Sequence, residues 1–244
     1  MKRRILISFT ILGFVVIAMT VGLLIWSSGT YAPKVELFDL VSSADYEMTD
    51  DWIIFNPKTE SNGVGIILYP GALVEPLAYG YYANELSKAG YLVTILDVAL
   101  NMAIFDADKA GDFIEAHPDV ESWYLAGHSI GGVAAAMFAK SNTDQIEGLI
   151  FLASYPSGSS DLSASGLRVL SISSSLDGLT LSSDIENKKP LLPDDTLYYE
   201  IEGGNHAGFG LYGDQKGDNP ATITAIEQQN RMIAVTLEFL NGRL

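Results

Sequence analysis

Glu121-Ser122-Trp123-Tyr124-Leu125-Ala126-Gly127-His128-Ser129-Ile130-Gly131-Gly132-Val133-Ala134-Ala135-Ala136-Met137-Phe138-Ala139-Lys140 is the stretch on which the reading of the fold turns. An apolar run of strand length, 123–126, meets a Gly-His-Ser-Ile-Gly turn, which opens into Ala, Val, Met and Phe, residues that sustain a helix. A strand that bends straight into a helix around a serine is a nucleophile elbow. The bend is strained, so the hydroxyl of Ser129 stands clear of the sheet and the N–H of Ile130 faces the same space. Gly127 and Gly131 suit a bend too crowded for side chains. With glycine at about 7% of residues, a bare Gly-x-Ser-x-Gly arises by chance in about one chain in ten of this length. The strand before it and the helix after it give the motif its weight.

Outward from the elbow the chain alternates. The apolar run 64–69 and the segments 91–96, 147–153, 168–173 and 197–201 have strand length, and a fully apolar run such as the first suits a parallel sheet buried on both faces. Between them 79–89 reads as a helix closed by Gly90, and 106–116 as another that stops before Pro118. A last helix, 221–240, follows Asp218-Asn219-Pro220, a capping side chain and a proline in the first turn. Strand-like pieces at 45–48 and 52–55 precede the series. Repeated strand and helix units predict an α/β domain with a doubly wound, mostly parallel sheet. Only about a dozen residues separate the strand ending near 153 from that starting near 168, which leaves no room for a large cap domain.

A serine hydroxyl is a weak nucleophile at neutral pH, so it needs a base, and the base needs a group that fixes its tautomer. In the elbow arrangement the order along the chain is Ser, then Asp or Glu, then His. Only His206 follows Ser129, in Gly203-Gly204-Asn205-His206-Ala207-Gly208, directly after the last strand. His117 reads as a surface helix end, and His128 as packing or orienting the elbow. Asp161, Asp177, Asp184, Asp194 and Asp195 all lie between serine and histidine. Asp177 is preferred because it follows the strand 168–173 by a few residues, which puts it at the same sheet edge as His206. An oxyanion hole needs two N–H donors. Ile130 supplies one; the loop after 64–69 supplies the other, with Ala72 the first candidate and Leu73 behind it, since Pro70 has no N–H. Leu73, Val74, Tyr79, Tyr81, Tyr82, Asn101 and Met102 are candidates to line the cleft, with Leu73, Tyr79 and Met102 the substrate contacts expected.

The first residues belong to something else. Lys2, Arg3 and Arg4 precede an uncharged apolar run, 5–26, long enough as a helix (about 33 Å) to span a bilayer core of about 30 Å. A cleaved signal peptide is the alternative, with a shorter apolar core and a small-x-small site, but Pro33 follows the candidate Thr30-Tyr31-Ala32. The expectation is an anchor and tether over 1–33 and a catalytic domain over 34–244, outside the cytoplasm because the basic residues precede the span. All 30 acidic residues but only 11 of the 14 basic ones lie beyond the run, which leaves that part at −19. Such a surface disfavours nucleic acid as a partner. There is no cysteine, so disulfides and thiolate metal sites are excluded, and three histidines do not suggest a His-rich metal site.

Tyr69-Pro70-Gly71-Ala72-Leu73-Val74, Gly127 to Gly132, and Gly203 to His206 together resemble an α/β-hydrolase of the compact dienelactone-hydrolase-like kind, in its membrane-anchored or secreted bacterial branch. The likeness spans roughly 45–240 and includes Ala99 to Ala103 and Tyr212 to Asp218. It implies a Ser129, Asp177, His206 triad and no metal or organic cofactor. Dienelactone hydrolase itself uses a cysteine nucleophile, so its activity does not carry over. The expected reaction is hydrolysis of carboxylic esters or thioesters of a small-molecule acyl substrate. A peptidase, an acyltransferase and an inactive binding protein on the same fold are the rival readings. Oligomeric state is not legible.

Overall fold

The computed structural model describes residues 2–243, without the side chains of 2–12 and 14. Two short strands, β1 (Glu47–Met48) and β2 (Trp52–Phe55), form an antiparallel edge. The remaining strands are β3 (Val64–Tyr69), β4 (Leu92–Leu96), β5 (Ser122–His128), β6 (Gly148–Leu152), β7 (Arg168–Ser174) and β8 (Leu197–Ile201). These six run parallel, in a single sheet ordered β1-β2-β4-β3-β5-β6-β7-β8. The expected mostly parallel sheet is therefore present, with β2 turned against β4. Every residue of β4 and of β6 is buried, Thr94 included, as their largely apolar sequences require.

Helices cover both faces. Alternation along β3 sends Ile66 and Leu68 to one side and Ile67 and Tyr69 to the other. The first side packs on α2 (Leu37–Leu40), α3 (Gly80–Lys88) and α7 (Ala225–Leu240) through Leu37, Tyr82, Leu86, Met232 and Phe239. The second packs on α4 (Lys109–Ala116) and α5 (Ile130–Ser141) through Phe113, Ala134 and Phe138. A further short helix, α6 (Ser182–Lys188), follows β7, and 153–167 between β6 and β7 contain neither helix nor strand, so no cap domain rises there.

Three boundaries differ from the sequence reading. The helix expected from 79 is preceded by a 3-10 turn, Pro76–Tyr79, and the one expected from 106 starts at Lys109 because the Asp106 carboxylate is drawn back to accept from Ala99 N at 2.6 Å. α7 begins four residues late. Thr224, not the Asp218-Asn219-Pro220 turn, caps it, its Oγ1 accepting from Glu227 N (3.1 Å) while Glu227 Oε2 accepts from Thr224 N (2.8 Å).

Ahead of the domain, α1 (Lys2–Ser27) is one continuous helix, and its described side chains from Val15 to Trp26 are exposed. Among the described residues no helix is long and apolar enough to cross a membrane. The first half of the expected span, at 5–12 and 14, lies outside the described side chains, so the transmembrane expectation rests on the sequence.

Candidate active site

β5 delivers Ser129 to the C-terminal edge of the sheet, and α5 starts at the next residue. Ser129 has φ 53° and ψ −124°, and its N–H donates to Leu152 O at 3.0 Å. The bend is tight: a Cβ on Gly131 would run into the Tyr69 carbonyl, and one on Gly127 into the backbone at Gly131 and Gly132. Ser154 Oγ donates to Ser129 O at 2.6 Å and steadies the turn from β6.

Backbone strain is concentrated at this edge. Among the described residues, the non-glycine positions at positive φ are Leu73 (59°), Leu100 (57°), Asn101 (52°), Ser129 (53°) and Ala153 (46°). They follow the C-terminal ends of β3, β4, β5 and β6, four neighbouring strands. Such conformations cost about 1–3 kcal/mol each and persist where surrounding structure enforces them, which is the habit of functional sites.

Loops after β7 and β8 bring Asp177 and His206 together. His206 Nδ1 lies 2.9 Å from Asp177 Oδ2, and both side chains are buried. Asp177 is aimed by its other oxygen, which accepts from Leu179 N (2.8 Å) and Thr180 N (2.7 Å). His206 Nε2 is buried and has no hydrogen-bond partner among the described residues, Ser129 included. Of the other aspartates, Asp161 caps its own turn at Ser163, Asp184 accepts from Leu181 N at the start of α6, and Asp194 and Asp195 are exposed.

Two residues to which the sequence assigned no part in the site tie these loops together. Asp218 accepts from Gly178 N (3.0 Å) with one oxygen and from Ala207 N (2.9 Å) with the other, so one carboxylate holds the neighbour of Asp177 and the neighbour of His206. Gln228, fully buried on the first turn of α7, closes a pair with the Asn205 backbone: Oε1 accepts from Asn205 N (3.0 Å) and Nε2 donates to Asn205 O (2.7 Å). A polar pair, Gln228-Gln229, on an otherwise core-facing helix stripe was the available signal.

The loop after β3 has one amide left over. Gly71 N donates to Tyr79 Oη (2.9 Å), Leu73 N to Asn101 O (2.8 Å), Val74 N to Gly71 O (3.2 Å) and Glu75 N to Tyr31 O (3.1 Å). Ala72 N has no partner among the described residues. Leu73, the second candidate donor, is thereby occupied. Ile130 opens α5, so its N–H belongs to the first turn, where amides have no intrahelical acceptor.

Tyr79 does not line a cleft, contrary to the expectation. It is fully buried, and its hydroxyl, which accepts from Gly71 N, sits 2.8 Å from His128 Nδ1. Because the phenol oxygen already accepts, its proton goes to Nδ1, which fixes the His128 tautomer. Burial pushes the His128 imidazole well below its usual pKa, and His206, with ring centroids 4.6 Å apart, pushes the same way. Val74 and Tyr82 are also core residues, and Tyr81 Oη donates outward to Asn230. Leu73, Asn101 and Met102 stay half-buried at the edge. Among the described residues no cluster of three or more His, Asp or Glu is arranged to hold a metal.

Residues 65–230 match the alpha/beta hydrolase family. Among solved structures, the chain is similar to a predicted CIB-like hydrolase from Thermoplasma acidophilum (18% identity, TM-score 0.62, 81% of this chain and 96% of that one). It is also similar to an alpha/beta hydrolase enzyme from the metagenome of lagoon sediments at Mar Chica, Morocco (16%, 0.63, 81% and 98%). A third likeness is to an a/b serine hydrolase without lid from Xanthomonas campestris (14%, 0.58, 77% and 88%). No curated protein matches the sequence.

Proposed function

Because the chain belongs to the alpha/beta hydrolase family, we propose that it is a serine hydrolase cleaving carboxylic ester or thioester bonds through an acyl-enzyme on Ser129. The observation that carries this is the buried His206 Nδ1 to Asp177 Oδ2 contact of 2.9 Å at the edge where β5 bends at Ser129. In the first half-reaction Ser129 Oγ attacks the carbonyl carbon and its proton passes to His206 Nε2. The developing oxyanion is received by Ile130 N–H and Ala72 N–H, the latter being the one unused amide of its loop. Asp177 holds Nδ1 protonated and stabilises the imidazolium. The tetrahedral adduct collapses, and the alcohol or thiol leaves with the proton from Nε2. Water then attacks the acyl-enzyme by the same route, releasing the acid and restoring Ser129. The Ser129 to His206 hydrogen bond closes when substrate fills the site, as such bonds commonly tighten only in the Michaelis complex.

Leu73 and Met102, half-buried beside the free amide, are the substrate contacts in this reading. The loop-only connection 153–167 supports an open site, a trait shared with the lidless Xanthomonas hydrolase. The uncharged run 5–26, preceded by Lys2-Arg3-Arg4, supports α1 as a retained single-pass anchor with 34–244 outside the cytoplasm.

A fluorophosphonate label and a panel of esters, thioesters and amides of graded acyl length test the proposal. Labelling is expected on the wild type and absent from Ser129→Ala, with kcat lowered by about 10⁴-fold or more. A folded wild type that takes no label sinks the reading.

A further inference from the structure

The chain that leaves α1 is woven into the catalytic edge. Ser27, in the last turn of the helix, is buried, and its carbonyl accepts from Asn101 Nδ2 at 3.0 Å. After Ser28 and Gly29, Thr30 Oγ1 donates to Glu75 Oε1 at 2.7 Å. Tyr31 then pairs with Val74 as a parallel bridge, its N–H donating to Leu73 O (2.7 Å) and its carbonyl accepting from Glu75 N (3.1 Å). Its ring lies 5.7 Å from that of Tyr212, and Lys34 N donates to Leu211 O at 2.8 Å. The loop that presents the free Ala72 amide is thus gripped on one side by Asn101, which also holds the helix end, and on the other by Tyr31.

This leaves no tether to speak of. The three peptide steps from Ser27 to Thr30 span at most about 11 Å when fully extended, so the mouth of the site cannot swing away from the end of α1. Exposed apolar side chains surround the junction: Trp26 (48% exposed) on the helix, Val35 (73%), Phe38 (55%) and Met48 (59%) on the body. Phe38 and Met48 share a groove of about 430 Å³ with Thr30 and Pro33. An aromatic residue at the end of an apolar helix, followed along the chain by further exposed apolar groups, suits the headgroup layer of a bilayer.

We propose that the site is held face-on to the membrane that α1 occupies, and that its substrate is a bilayer-resident acyl amphiphile. The substrate would keep its acyl chain among the lipids and place its ester or thioester carbonyl at headgroup depth. The inference rests on the serine-hydrolase reading and on α1 as a retained anchor. The acyl group passes to Ser129 Oγ, the alcohol or thiol departs with one proton, and water releases a fatty acid.

The test uses the full chain in phosphatidylcholine vesicles and two substrates with one leaving group: p-nitrophenyl palmitate dissolved in the vesicles and p-nitrophenyl butyrate in water. Turnover of the palmitate is expected to follow its mole fraction in the bilayer, not its bulk concentration. A second chain carries a flexible Gly-Ser linker of about 16 residues between Ser28 and Gly29, adding about 20 Å of r.m.s. span while leaving Thr30 to Lys34 in place. It is expected to lose about tenfold or more on the palmitate with butyrate turnover unchanged. The proposal is overturned if the linker chain keeps its palmitate rate, if the parent turns over butyrate and ignores palmitate, if the rate follows bulk concentration, or if the mature chain begins at Pro33 or later. A parent that takes neither ester nor the fluorophosphonate label overturns the hydrolase reading itself, and the label distinguishes that failure from the others.

Discussion

Burial keeps the His128 imidazole neutral, and Tyr79 makes that neutral ring useful by linking it to the amide of Gly71. The chain Gly71 N–H to Tyr79 Oη to His128 Nδ1 joins the loop that presents the free Ala72 amide to the residue before Ser129, so its removal acts on both. Tyr79→Phe leaves a buried amide and a buried ring nitrogen unpaired, each worth about 1–3 kcal/mol. It is expected to lower the urea-unfolding free energy by about 2 kcal/mol and kcat by about tenfold, with KM nearly unchanged. The sign of the pH effect follows from the direction of the His128 shift. A histidine whose folded pKa lies below its unfolded value of about 6.5 leaves the unfolded chain holding the extra proton in acid, so its contribution to stability is complete above that pH and declines below it. The decline is about 1.4 kcal/mol per pH unit for one proton until the folded pKa is reached. His128→Gln is therefore expected to flatten the urea-midpoint profile below pH 6.5 relative to wild type, by one proton's slope; an unchanged slope would show His128 charged in the folded state.

α7 is both a core helix and a brace. Its apolar face packs Met232 and Phe239 against the sheet while Gln228 on its first turn grips the Asn205 backbone beside His206. Thr224→Ala removes the cap and is expected to cost about 1 kcal/mol, read by urea denaturation, with a fall in kcat because fraying of that turn loosens His206, the proposed base. Asp218→Asn keeps the size of the side chain, but its carboxamide oxygen can accept from only one of Gly178 N and Ala207 N, so the cross-brace is cut on one side. An expected kcat loss of about tenfold at constant KM, with unfolding free energy within about 1 kcal/mol, distinguishes positioning from bulk destabilisation. These braces mark the limit of what the linear chain discloses. The elbow was legible because a strand, two obligatory glycines and a helix lie within twenty residues, and the helix periods around it are local. Tyr79 was misread because its partner His128 is 49 positions away, and a tyrosine bound for the core carries the same local pattern as one bound for a cleft. The start of α7 was misplaced because Asp218 and Pro220 imitate a cap; Thr224 and Glu227, spaced as a capping box, were the true signal. Asp177 could be preferred from strand placement, whereas its carboxylate geometry depends on Leu179, Thr180 and a loop almost thirty residues on.

For the molecule as a whole, charge and attachment pull against each other. The part beyond the apolar run carries −19, yet its proposed catalytic edge is stitched to α1, the helix we propose as a membrane anchor. Anionic headgroups should therefore push the body away while α1 holds it close. Replacing about a third of the phosphatidylcholine by phosphatidylglycerol is expected to lower palmitate turnover at low salt, and about 0.5 M salt, with a Debye length of only about 4 Å, to restore it. Insensitivity to both would place the charged surface away from the bilayer. The two-sided core makes the sheet rigid, and that rigidity is what maintains the unfavourable φ angles at the ends of β3, β4, β5 and β6. Those angles carry a consequence for how the protein can change. Leu73→Gly or Ala153→Gly would relax a left-handed residue and is expected to raise the unfolding free energy by about 1 kcal/mol, while loosening the loop beside Ala72 or the strand end beside Ser129 and lowering kcat. Variants selected for heat resistance alone should accumulate glycine at these positions and drift towards a sturdier, slower enzyme.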